Sequence, residues 1–150
     1  MRGQFDRGKI DLEKAISFAI QHAYERVRIT LYREFHDSGL AITPEQWIVL
    51  VLLWERDART PSELSEATLR DRPTMTRLLD TMERNGLVTR KPLPGDGRGR
   101  VVRLTRQGEK LRTPLTARAR RIVKRLERGI SESDLRITRR TLKRIFENLA

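Results

Sequence analysis

The chain has 150 residues, 37% of them hydrophobic and 35% charged, and its 32 Lys and Arg outnumber 20 acidic residues to give a formal net charge of +12. That length supports one domain with a core, and the charge is the footprint of a polyanion binder, nucleic acid first. The lack of cysteine excludes disulfides, thiolate metal sites, cysteine nucleophiles and thiol-oxidation sensing, and the longest apolar run, Trp47 to Trp54, is too short to cross a bilayer.

Residues 1–9 are polar and contain glycine, which predicts a mobile arm. Its acidic residues and missing apolar stretch do not fit a signal peptide, so a cytoplasmic location is expected. From Ile10 to Phe35, apolar residues such as Leu12, Ile16, Ala23, Val27 and Leu31 recur at helical spacing and predict one long amphipathic helix, ended by Asp37-Ser38-Gly39. Its stripe wants a partner, and another subunit is a natural one. Thr43-Pro44-Glu45-Gln46 is a capping box with Pro at N1. The helix behind it is apolar nearly all round, which predicts burial between layers, with Trp47 and Trp54 as core residues.

Thr60-Pro61-Ser62-Glu63 repeats the device and opens a short helix to about Thr68. The next start is Asp71, so the link has the length of the turn in a helix-turn-helix. On the helix from Arg72 to about Asn85, Met75, Leu78, Leu79 and Met82 form a buried stripe. The opposite side carries Pro73, Arg77, Asp80 and Arg84, flanked by Thr74, Thr76 and Thr81, and Gly86 supplies the stop. Arg suits guanine edges, Thr suits phosphates and thymine methyls, and the helix N-terminus favours the backbone.

Leu87–Arg90 and Arg100–Leu104 are β-prone and flank a turn region holding Pro92, Pro94, Gly95, Gly97 and Gly99, the pattern of a wing. Arg98 and Arg100 at its tip suit a minor groove, with Asp96 placed to hold one guanidinium. Thr105 caps a helix to about Arg128 that Pro114 should kink, and Ser131, with Asp134 at N3, opens the last one. Leu135, Leu142, Ile145, Phe146 and Leu149 are the apolar side of that last helix.

The core ARTPSELSEATLRDRPTMTRLLDTMERNGLVTR and the wing-to-helix run DGRGRVVRLTRQGEKL resemble the MarR family (multiple antibiotic resistance regulator) of bacterial transcription factors. In the second run Asp96, Arg98, Val102, Leu104, Thr105 and Gly108 fit the family's wing signature. The resemblance implies a mainly α fold with a small β wing. Residues 41–105 would be the winged helix-turn-helix DNA-binding domain, with residues 1–40 and 106–150 as the two parts of a helical dimerisation domain. It implies an obligate homodimer that binds palindromic operators in double-stranded DNA, most often as a repressor. It also implies release by a small, often phenolic, anion bound between the domains, for which Tyr24, Tyr32, His36 and Trp47 are at hand.

Carried over by position, Ser62 would contact phosphate, Thr74, Thr76 and Arg77 would lie nearest the bases, Arg70 and Arg72 would meet the backbone, and Arg98 and Arg100 would be the wing contacts. Arg90 is open between a DNA contact and a brace to Asp80 or Glu83. From Arg103 to Arg128 ten Lys and Arg stand against two Glu, and that run is open between a solvated face, an anionic-effector site and added phosphate contacts by residues such as Arg106. The alternative function is a non-specific architectural DNA- or RNA-binding protein. No nucleotide loop, loop carboxylate pair or Ser-His-Asp set suggests an enzyme, and no cofactor is expected. His22 and His36, the two histidines, are too few to suggest a zinc sensor.

Overall fold

Caps set most of the element boundaries. The computed structural model describes residues 5–6, 9–12 and 14–150. Its elements are β1 (Phe5–Asp6), β2 (Lys9–Ile10), α1 (Ile16–Asp37), α2 (Pro44–Glu55), α3 (Pro61–Thr68), α4 (Arg72–Arg84), β3 (Val88–Leu93), β4 (Asp96–Leu104), α5 (Arg106–Lys110), α6 (Arg112–Leu126) and α7 (Glu132–Leu149). The fold is mainly helical with a two-stranded antiparallel wing, β3–β4.

Both capping boxes form. Gln46 and Glu63 donate their backbone N–H groups to the Thr43 and Thr60 hydroxyls at 3.2 and 3.1 Å, and their side chains accept the Thr N–H groups at 3.1 and 2.6 Å. Asp71, Thr105 and Ser131 cap α4, α5 and α7 through their side-chain acceptors, which take the N3 N–H groups without a return bond. Each such cap is worth about 1 kcal/mol.

The core lies where α1 and α2 meet the α3–α4 pair and the base of the wing. Phe35, Val49, Leu50, Leu53, Leu64, Met75, Leu79, Met82, Val88, Val102 and Leu115 are sealed from solvent there. Each such side chain contributes roughly 1.5–3 kcal/mol. Trp47 packs between Phe35 and Trp54, with ring centroids 5.5 and 5.7 Å away. The Trp54 indole donates to the Gly108 carbonyl at 3.1 Å, tying α2 to α5. Both tryptophans are therefore structural.

Four expectations need correcting. The first helix begins at Ile16 rather than Ile10, because Lys9–Ile10 pairs with Phe5–Asp6 and Ala15 keeps an extended backbone (φ −78°, ψ 103°). Beyond those paired residues, the arm expected over 1–9 lies outside the described residues. The single helix expected after the wing is two, α5 and α6, meeting at Leu111, which keeps helical dihedrals (φ −72°, ψ −14°) one turn before Pro114, whose missing N–H leaves the Lys110 carbonyl without a helical donor. The wing strands run through most of the expected turn region, leaving Pro94-Gly95 as the turn, with a register shift between Pro92 and Leu93. Finally, α2 is covered on one side only, with Ile48 and Val51 43% and 37% exposed in the single chain.

The last helix, α7, buries no residue, and Leu142, Phe146 and Leu149 face solvent.

Candidate nucleic-acid interface

Helices α3 and α4 are joined by Leu69, Arg70 and Asp71. Leu69 takes the left-handed conformation (φ 53°), which lets the Arg70 N–H return to the Ser65 carbonyl at 3.0 Å and turns the chain sharply. Met75, Leu79 and Met82 are buried and Leu78 packs against the same core, so the stripe predicted for α4 is its inner face. The side opposite, including Arg77, is exposed.

The predicted contact residues divide into three groups. Ser62, Arg72, Thr76 and Arg100 line one open concavity of about 530 Å³ between the start of α3, the start of α4 and the wing. Arg72 Nη2 donates to Ser62 Oγ at 3.3 Å across it. Thr74, Arg77 and Arg98 stand outside that hollow. The Thr74 hydroxyl donates to the Asp71 carboxylate at 2.9 Å and its N–H does so at 2.7 Å, so the hydroxyl proton is committed to Asp71 and only its lone pairs remain. Those two bonds hold the Asp71 carboxyl below its usual range. Arg77 folds back only weakly, Nε lying 3.4 Å from the Pro73 carbonyl. Arg70 is brought elsewhere. It is half-buried and lines a cleft with Tyr24, Arg28, Leu31, Pro44 and Ile48 from α1 and α2.

At the wing tip Asp96 does not hold a guanidinium. Its carboxylate accepts the Arg98 backbone N–H at 3.0 Å, and the Arg98 and Gly99 N–H groups together keep it ionised well below the ordinary range. A Cβ on Gly99 would lie 2.8 Å from Asp96 Oδ2, so glycine permits this tight tip. The Arg98 and Arg100 side chains have no hydrogen-bond or ion-pair partner among the described residues, and both are exposed.

Arg90 is a brace. Its guanidinium donates to Glu83 at 2.8 and 3.1 Å and to Asp80, while its backbone N–H donates to Glu83 at 2.9 Å. The Arg90 bonds lower the Glu83 pKa, and Glu83 in turn raises that of Arg90. The acids of α4 thus neutralise a wing residue rather than facing outward.

Two supports were not anticipated. The Arg59 carbonyl accepts the Val102 N–H at 2.8 Å and Asp57 accepts the Leu104 N–H at 2.9 Å, so the segment after α2 acts as a short extra edge for β4. Ala58 between them sits at φ 63°, which nothing in an Asp-Ala-Arg sequence signals. Ser65, on the inner side of α3, lines the hollow with a buried hydroxyl that has no partner among the described residues.

Comparison with known proteins agrees with this fold. The family model described as "MarR family" matches residues 42–99. The organic hydroperoxide resistance transcriptional regulator of Bacillus subtilis is 35% identical over 112 residues, covering 75% of this chain and 74% of its own. The transcriptional repressor IacR of Pseudomonas putida is 31% identical over 104 residues, covering 69% and 62%. Among solved structures, a mutant MarR of E. coli complexed with operator DNA superposes with a TM-score of 0.81 at 25% identity, over 87% of this chain and 92% of that one.

Proposed function

The chain belongs to the MarR family of transcriptional regulators, and from this we propose that it is a homodimeric repressor that binds palindromic operators in double-stranded DNA. One observation carries the assignment. The wing offers exposed, unpaired Arg98 and Arg100 and the outer side of α4 an exposed Arg77 held only by a long bond to the Pro73 carbonyl, while the nearby acids Asp80 and Glu83 are engaged by Arg90. A surface so arranged attracts phosphate and leaves donors free for base edges. Thr76 and Arg77 are assigned to bases with the outer side of Thr74, Ser62 and Arg72 to phosphate at the α3–α4 entrance, and Arg98 and Arg100 to the groove beside it. Arg70 is assigned a backbone contact at the edge of this surface, reached by swinging out of its cleft.

Dimerisation is proposed through α1, α6 and α7, whose apolar residues Ile16, Val123, Leu126, Leu142 and Phe146 are exposed in the single chain. Two recognition helices related by a two-fold axis meet half-sites roughly 34 Å apart. The repressor name of the Pseudomonas putida relative supports the sign of regulation. An effector is proposed as a small aromatic or anionic molecule near Tyr24, Arg28 and Arg70, a cleft of about 140 Å³ that couples the α3–α4 turn to α1. Trp47 is withdrawn from that role, being packed against Phe35 and Trp54. The protein acts in the cytoplasm in this assignment.

Site selection from random duplexes tests it, followed by gel shifts of the selected and scrambled sequences at fixed salt. A preference of at least ~10³-fold is expected for a specific regulator. Equal affinity for both would favour the non-specific architectural binder.

A further inference from the structure

The basic run after the wing is only partly neutralised. Glu34 lies 3.6 and 3.7 Å from Arg118 and Arg121, Asp57 lies 3.8 Å from Arg103, and Glu109 lies 3.7 Å from Arg112. Arg106, Lys110, Arg120, Lys124 and Arg128 remain exposed, with no ion-pair or hydrogen-bond partner among the described residues. They recur at helical intervals, with Thr113 and Ala117 filling the gap between Lys110 and Arg120. This row lies opposite Leu115 and Ile122, the buried residues of α6, which packs on α1 and α2. It is therefore a different face from the α3–α4–wing surface, and its shallow hollow, lined by Arg112, Thr113, Thr116, Ala117 and Arg120, shares no residue with the one at the recognition helix.

We propose that the outer face of α5 and α6 binds a second DNA duplex through its phosphate backbone, independently of sequence, so that the protein joins two DNA segments. The 15 residues of α6, Arg112–Leu126, span roughly 21 Å at the rise of an α-helix. A B-form duplex presents about one phosphate per 1.7 Å of axis over that length. The small side chains at Thr113 and Ala117 let a backbone approach closely, and the hydroxyls of Thr113 and Thr116 are suited to phosphate oxygens. The row carries no aromatic or large aliphatic residue, which a protein partner would need for the core of an interface. Charge without an apolar centre fits a nucleic acid better than an acidic protein.

A bridging assay tests this. Operator duplex is immobilised by one end, saturated with protein, washed, and offered a labelled duplex of unrelated sequence. The wild-type protein is expected to retain the label, with retention falling steeply as salt rises. An Arg120→Gln, Lys124→Gln, Arg128→Gln variant is expected to keep its operator affinity and its melting temperature. Its capture of the second duplex should drop by ~10-fold or more, with a salt slope shallower by about 3. The proposal is overturned if the wild-type protein captures nothing, if the variant captures as well as the wild type, or if the variant loses operator and second duplex alike. It is overturned too if polyglutamate at equal charge displaces the label as effectively as free duplex, since the surface would then suit an acidic protein. The regulatory proposal fails separately: a protein without operator preference still shows the variant-dependent loss when assayed with unrelated duplexes alone.

Discussion

Arg90 on β3 and Glu83 on α4 share three hydrogen bonds, two from the guanidinium at 2.8 and 3.1 Å and one from the backbone N–H at 2.9 Å. The pair fixes the distance between the helix and the wing, the two parts assigned to adjacent grooves. Replacing Arg90 with Ala should destabilise the protein by about 1 kcal/mol, a modest figure because both side chains are partly solvated. DNA affinity should fall further than stability does, with sequence preference retained, because the helix still reads while the wing wanders. Thermal unfolding with a parallel gel-shift series checks this. Unchanged affinity for operator would remove the brace from DNA binding.

Acid should loosen the α3–α4–wing half first. The carboxyls of Glu63, Asp71, Glu83 and Asp96 are all held below their ordinary values by hydrogen bonds, from Thr60, Thr74, Arg90 and the Arg98 N–H respectively. A depressed carboxyl contributes stability that is complete above its unfolded pKa, about 4, and is lost as pH falls through the lower folded value. The melting temperature should therefore be insensitive to these groups from neutral pH down to about 5 and drop below about 4. Glu83→Gln should flatten that drop. An identical acid limb in the variant would show that Glu83 is not one of its causes.

Gly108 should tolerate no side chain. A Cβ there would lie 2.2 Å from the Leu87 carbonyl oxygen, where α5 crosses the base of the wing, and 3.2 Å from the Leu104 side chain, so the main obstacle is backbone that cannot rotate away. Gly108→Ala is expected to destabilise by about 3 kcal/mol or to prevent folding. Gly97→Ala is the control, since a Cβ at Gly97 meets nothing within 4 Å. It should change stability by less than about 0.5 kcal/mol in denaturant melts. Equal effects of the two would refute the close-approach account.

The bare face of α7 should decide the oligomeric state. Phe146 is 54% exposed on a helix that buries nothing within its own chain. Phe146→Glu is expected to shift the protein from dimer to monomer in sedimentation experiments while the far-ultraviolet spectrum stays helical. Operator affinity should collapse with it, because each half-site is then bound alone. A variant that remains dimeric would move the interface off α7.

Arg77 and Arg98 should separate readout from attraction. Arg77→Ala is expected to weaken operator binding by about 1–3 kcal/mol and to relax preference at one position of each half-site. Arg98→Ala should weaken binding to operator and scrambled DNA more evenly, with a salt slope shallower by about 1 per subunit. An Arg77→Ala protein with intact operator preference would take base readout away from that residue.

Local chemistry made much of this fold legible in one dimension. Thr43, Thr60, Asp71, Thr105 and Ser131 each place a side-chain acceptor three residues before an amide that needs it, and all five form their caps. The stripe Met75, Leu79, Met82 named the inner face of α4, and hence the outer one. Arg90 was ambiguous, because a lone Arg on a strand is equally suited to phosphate and to a carboxylate ten residues earlier. Spacing along the chain does not say which lies nearer.

What the sequence determined by itself was periodicity, caps and charge, since these depend on residues within a turn or two of each other and act before any tertiary contact forms. Only the tertiary structure decided where charge is cancelled and where it is free. It turned Arg90 inward onto Glu83, gave Asp96 to the backbone N–H of Arg98, and drew Arg70 into a cleft beside α1. It left Arg120, Lys124 and Arg128 bare. The physical reason is that an ion pair forms by distance in space, and a difference of a few ångströms between elements distant in sequence determines whether a cation is neutralised at home or offered to DNA.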